Sequence, residues 1–110
     1  NKVKYHVARA GWIGDYNDPN TFLDMWLTGG GNNQTGWSNA RYDQLIKEAA
    51  KASDPKGRFE KFQEAEAILI DEMPVIPIYF YVSLSLVKLN VRGWYPNILD
   101  HHPYKYIHLE

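Results

Sequence analysis

Residues 11–19 read Gly-Trp-Ile-Gly-Asp-Tyr-Asn-Asp-Pro, and this run restricts the fold more than any other stretch of the chain. Asp18-Pro19 is a helix opening. The carboxylate can take up free amide donors of a first turn, and proline's fixed φ suits that turn, where its missing N–H costs nothing. Ahead of it, Val3, Tyr5 and Val7 alternate with Lys4 and His6, the period of a half-buried strand. The pattern predicts a strand from Val3 to Trp12 and a short helix from Asp18-Pro19 through Leu27. Between them stands one carboxylate, Asp15, with Trp12 and Tyr16 nearby and with Gly11 and Gly14 permitting a bend. An acid at a strand end, beside indole and backbone surface, could hold something extended.

Downstream, Thr28-Gly29-Gly30-Gly31 ends the first helix, because glycine readily takes the left-handed conformation. Residues 29–36 are low in complexity and are expected to be flexible. Ser38 is the candidate cap of a second helix, in which Tyr42, Leu45, Ile46 and Ala49 recur at helical spacing. Asp54-Pro55 opens a third and longer helix. Its face is approximated by Phe59, Phe62, Ala65, Glu66, Leu69 and Met73, with Glu66 at the edge. Val75–Val82 and Leu84–Val91 read as strands, Gly93-Trp94-Tyr95-Pro96 as a turn, and Tyr104–Leu109 as a final strand. The expected class is therefore α+β, a small mixed sheet covered by two or three helices.

The 110 residues suffice for one domain with one modest core. Net charge is −1, from 12 basic and 13 acidic residues, and no basic run gives a nucleic-acid footprint. Without cysteine there is no disulfide framework and no thiolate metal site. No apolar stretch reaches the roughly 20 residues that span a bilayer as a helix. The longest, Pro74–Val82, carries two prolines and reads as a buried strand. The chain enters its first strand at Asn1-Lys2-Val3 without a methionine, so a portion of a longer protein is expected.

If residues 3–15 stay extended, Arg9, Gly11, Ile13 and Asp15 project to one side. Arg9 and Asp15 then lie at most about 20 Å apart, and bending at the glycines shortens this toward the ~10 Å of a tripeptide's charged ends. One element would thus offer a cation for a carboxylate, an anion for an ammonium, and backbone for strand addition between them. Each residue also has a plain structural reading. Asp15 can cap its own turn, Trp12 can pack in a core, and Arg9 can be a solvated strand charge. Asp18 is read as the helix cap and not as a ligand group.

Four stretches together resemble the extracytoplasmic solute-binding receptors of ABC importers, most closely the oligopeptide-binding type. They are residues 11–19, Trp37-Ser38-Asn39 with Tyr42-Asp43, Met73-Pro74-Val75-Ile76-Pro77-Ile78-Tyr79-Phe80-Tyr81, and Tyr104-Lys105-Tyr106-Ile107-His108-Leu109. They follow the family's order over nearly the whole chain. The resemblance implies a C-terminal portion of such a receptor, residues 1–110 forming part of one lobe of a two-lobed, type II periplasmic-binding-protein-like fold. Residues from about 95 to 110 would return to the other lobe. It further implies a peptide ligand whose ammonium is taken by Asp15, backbone pairing at Gly11 and Ile13, the Trp12 indole alongside, and Arg9 for the carboxylate of a short peptide. The implied partners are the remaining lobes and a membrane permease, and the implied location is extracytoplasmic, in a periplasm or at a cell surface as a lipoprotein.

Other chemistries find less support. An EF-hand beginning at Asp15 would need oxygen, glycine and glutamate where Pro19, Asn20 and Trp26 stand. His101-His102 with Asp100 and His108 has no metal-ligand spacing and reads as a surface loop. Asn33-Gln34-Thr35 matches a glycosylation acceptor, a triplet common by chance. No nucleophile elbow, P-loop or His-Glu-x-x-His motif is present, and neither an enzyme nor a cofactor is expected. Two alternatives stay open. The same scaffold could carry a sugar, a metal chelate or haem, or the chain could be a structural or interaction module in which Asp15 is a turn acid.

Overall fold

Helix α2 (Ala40–Lys51) and helix α3 (Pro55–Glu72) form a hairpin that carries the core of the computed structural model, which describes residues 5–97 and 99–110. Both helices start where the chain supplies a cap. Asn39, not the expected Ser38, caps α2: its Oδ1 accepts the Tyr42 amide at 3.0 Å, while the Ser38 hydroxyl pairs with Thr28 Oγ1. Asp54 caps α3 as expected, accepting the amides of Lys56 and Gly57, with Pro55 in the first turn. Three residues separate the helices, so they run antiparallel. Arg41–Glu64 and Lys61–Glu48 ion pairs rail the seam, and Glu72 takes both the Trp37 indole N–H and the Asn39 side-chain amide.

Tyr42, Leu45, Ile46 and Ala49 of α2 meet Phe62, Ala65 and Leu69 of α3, and Leu23 joins them from helix α1 (Asn20–Leu23). Phe59, Glu66 and Met73, expected on the same face of α3, are exposed. Trp26, Leu27, Trp37, Ile68 and Val75 seal the edges. The first helix is shorter than the spacing predicts. It runs as α1 and a 3-10 turn, Asp24–Trp26, before Gly29 takes a positive φ. The following loop is not the slack connection expected. Asn33 donates to the carbonyls of Trp26, Leu27 and Trp37 and accepts from Thr35, so one side chain organises residues 26–37. Those same bonds occupy the amide of the glycosylation triplet.

The extended parts depart most from expectation. The strand predicted over Val3–Trp12 begins in residues outside those described, and residues 5–12 join no ladder. Neither do residues 75–82 or 84–90, although their apolar side chains are of strand type. Among the described residues the sheet is one antiparallel pair, β1 (Val91–Arg92) with β2 (His108–Leu109), in the register Val91 to Leu109 and Arg92 to His108. The rest of the predicted final strand is a 3-10 turn at Tyr104–Tyr106. Gly93, at φ 78°, lies against the Tyr106 carbonyl, where any Cβ would collide. A helix closes its hydrogen bonds within itself, whereas a strand needs a second strand to accept and donate. The radius of gyration, 18.0 Å against about 13 Å for a compact chain of this length, follows from these unpaired arms.

Candidate functional site

The stretch from Arg9 to Asp15 approaches the helical core from outside and, among the described residues, is hydrogen-bonded at its far end only. Asp18 and α1 do the holding. The Asp18 carboxylate accepts the Asn20 amide at 2.9 Å and forms a two-pronged pair with Arg58 of α3, Nη1 to Oδ2 at 2.7 Å and Nη2 to Oδ1 at 2.8 Å. The sequence assigns Asp18 to capping, and it does accept an amide of the first turn, although Pro19 occupies the cap position itself. The Arg58 hydrogen bonds hold this carboxyl below the usual carboxylate range and raise the guanidinium in turn. The Arg58 guanidinium also lies 4.6 Å from the centroid of the buried Phe62 ring.

Asp15 is anchored through its backbone, with its amide donating to Thr21 Oγ1 at 2.9 Å. Thr21 is 1% exposed, a polar side chain set into the core edge by α1. Asp15 itself is exposed, and among the described residues no hydrogen bond or ion pair reaches its carboxylate. Arg9, Gly11 and Ile13 are exposed as well, and Trp12 is 38% exposed. Nothing lies within 4 Å of the position a Cβ would take at Gly11, so its backbone can be approached closely. At Gly14 a Cβ would sit 3.2 Å from the Phe22 ring and 3.3 Å from Thr21, which is where the segment meets α1.

Tyr16 turns back toward α1, where its hydroxyl accepts from the Asn20 amide group at 2.9 Å. Two acids three residues apart are thus treated oppositely. Asp18 is consumed by the scaffold, and Asp15 is presented to solvent at the end of a segment that has no strand partner among the described residues. The five residues singled out from the sequence, Arg9, Gly11, Trp12, Ile13 and Asp15, all lie on this one open segment. Thr21 and Arg58 escaped sequence reasoning. Thr21 carries a weak signal, a hydroxyl among apolar neighbours in a short helix. Arg58 carries none, because its partner is 40 residues away.

The histidine loop holds no comparable site. His102 stacks on Trp94 at 4.6 Å and pairs with Asp100, which also accepts from Ser83. Among the described residues no group of three His, Cys, Asp or Glu is placed to hold a metal ion.

No protein-family model matches the chain. Curated relatives do. The chain is 41% identical over 108 residues, 98% of its length, to the dipeptide-binding protein DppE of Bacillus subtilis. It is 43% identical over 90 residues to the oligopeptide-binding protein OppA of the same organism. The chain belongs to the family of oligopeptide- and dipeptide-binding proteins. Among solved structures, the unliganded open form of the periplasmic murein tripeptide-binding protein MppA superposes on 89% of this chain with a TM-score of 0.70 at 29% identity. The fold is thus that of a segment of a type II periplasmic binding protein, in the α+β class. The family is one of solute-binding proteins and not of enzymes. The chain spans about a fifth of the length of these relatives, 19% of DppE and 16% of OppA.

Proposed function

We propose that this chain is the ligand-facing segment of an extracytoplasmic peptide receptor, a C-terminal portion of one lobe whose residues from about 95 onward return to the other. The open presentation of Asp15, beside an acid of the same loop that the scaffold has neutralised, carries the reading. In it the Asp15 carboxylate takes the ammonium of a bound peptide. A carboxylate enclosed by closing lobes is costly without a cation, and a peptide terminus relieves that cost. Gly11 and Ile13 offer backbone donors and acceptors to the peptide main chain, a mode that tolerates many side chains. The Trp12 indole lies against the ligand, and Arg9 serves the carboxylate of a short one. The loaded receptor hands its peptide to a membrane permease.

The 110 residues supply half of such a site, so alone they bind peptides weakly or not at all. Calorimetry on the parent receptor with trialanine and N-acetyl-trialanine tests the assignment. Binding that collapses on acetylation, and collapses equally with Asp15→Asn, supports it. Equal binding of the two peptides returns Asp15 to a structural role, and sub-micromolar affinity in the isolated chain contradicts the half-site.

A further inference from the structure

We infer that Arg58 is a positioning residue for Asp15, acting through Asp18 and the buried hydroxyl of Thr21. The inference rests on the peptide-receptor reading and adds to it the device that sets the angle of the acid. The path is continuous. Phe62 sits in the core, and the Arg58 guanidinium lies over its ring. Both prongs of that guanidinium grip Asp18 at 2.7 and 2.8 Å, with each side chain only about a quarter exposed. The Asp18 carbonyl accepts the Thr21 amide at 3.2 Å, the Asp18 side chain accepts the Asn20 amide, and the Asp18 amide donates to the Tyr16 carbonyl at 2.9 Å. Thr21 Oγ1 then accepts the Asp15 amide.

Every group on this path either belongs to the core or binds one that does, and the last bond ends on the backbone of the proposed ligand residue. The arrangement answers a physical need. Residues 5–17 have no ladder to fix them, yet a carboxylate must be held within about half an ångström to select an ammonium by geometry. A two-pronged arginine contributes orientation as well as charge, which a single-point cation does not. The depressed Asp18 carboxyl accords with a pair that stays ionised throughout the neutral range.

Amide hydrogen exchange on the 110-residue chain tests the path directly, with the Leu45 amide in α2 as the internal reference. Arg58→Gln is expected to lower protection of the Asp15 amide by roughly tenfold while Leu45 is unmoved, the scale of one lost charged hydrogen bond. Arg58→Lys should restore part of it. Thr21→Val, which keeps shape and burial, should have the same effect as Arg58→Gln, and Thr21→Ser should not. Unchanged Asp15 protection in both Arg58→Gln and Thr21→Val overturns the inference, as does a loss that Leu45 shares in equal measure. In the parent receptor Arg58→Gln should also shrink the preference for trialanine over N-acetyl-trialanine several-fold. An undiminished preference there overturns the positioning role. A wild-type receptor that never discriminates overturns the ammonium reading instead, and the exchange result then decides the path from Arg58 to Asp15 by itself.

Discussion

The segment from Ile76 to Leu89 is richer in apolar residues than the helical hairpin, yet it is the hairpin that buries its apolar side chains. Leu45, Ala49 and Ala65 are fully buried, whereas Phe80 is 98% and Leu86 104% exposed. Hydrophobicity alone would rank their burial the other way. What differs is where the backbone finds its partners. The helices satisfy their own amides and carbonyls, so two of them need only each other to bury a stripe. The second segment is of strand type, and burying it requires neighbouring strands that these residues do not contain. Fourteen residues of strand-prone side chains therefore stand exposed, in a chain that spans about a fifth of the length of the relatives it matches.

The sharpest break of this comparison is truncation in each region. Leu45→Ala is expected to cost about 3 kcal/mol of unfolding free energy, by transfer and cavity terms together. Leu86→Ala should cost no more than about 0.5 kcal/mol, as at any exposed site. Urea denaturation followed by far-ultraviolet circular dichroism reads both. Similar losses at the two positions would mean that the Ile76–Leu89 segment folds cooperatively with the hairpin.

A smaller effect tests the polar link between α2 and the first helix. The Tyr42 hydroxyl donates to the Leu23 carbonyl within the core. Tyr42→Phe should cost about 1–2 kcal/mol, since a buried carbonyl loses its donor. Burial, reinforced by the charges of Asp24, Asp43 and Glu66, pushes the Tyr42 hydroxyl well above its ordinary pKa. The unfolded chain therefore loses this proton first, and wild-type stability should fall as pH rises past about 10. Tyr42→Phe should remove that slope. An alkaline slope identical in the variant would place its origin elsewhere.

The smallest effect concerns the join between hairpin and open segment. Because the Arg58 hydrogen bonds lower the Asp18 pKa, the folded chain releases that proton more readily than the unfolded one. The stabilisation is present above the ordinary carboxylate value and fades as pH drops below about 4, by up to roughly 1 kcal/mol for a partly exposed pair. Asp18→Asn should flatten this part of the acid limb without changing the alkaline one. An unaltered acid limb would show that the pair contributes nothing to stability.

Sequence legibility follows the same division. The α2 and α3 faces and the Asp54-Pro55 start could be read because helical contacts recur three and four residues apart. The cap of α2 moved from Ser38 to Asn39 because two adjacent residues can both cap, and the Thr28 hydroxyl claimed the first. The loop at 29–36 looked slack by composition, and only the fold brings three carbonyls around Asn33. The five candidate binding residues were legible as a motif. That Asp18 serves the helix start was legible from Asp18-Pro19, whereas its pairing with Arg58, 40 residues away, was not.

By itself the sequence determined the helices, their caps within a residue, the turn glycines at 29 and 93, and the single segment that carries Arg9 to Asp15. Apart from the close approach of Gly93 to the Tyr106 carbonyl, these rest on interactions between near neighbours in the chain. Tertiary structure alone decided which acid Arg58 would claim, that Thr21 would hold the Asp15 backbone, and that residues 76–89 would stand unpaired. Those outcomes depend on groups tens of residues apart, and on strand partners that no local pattern can supply.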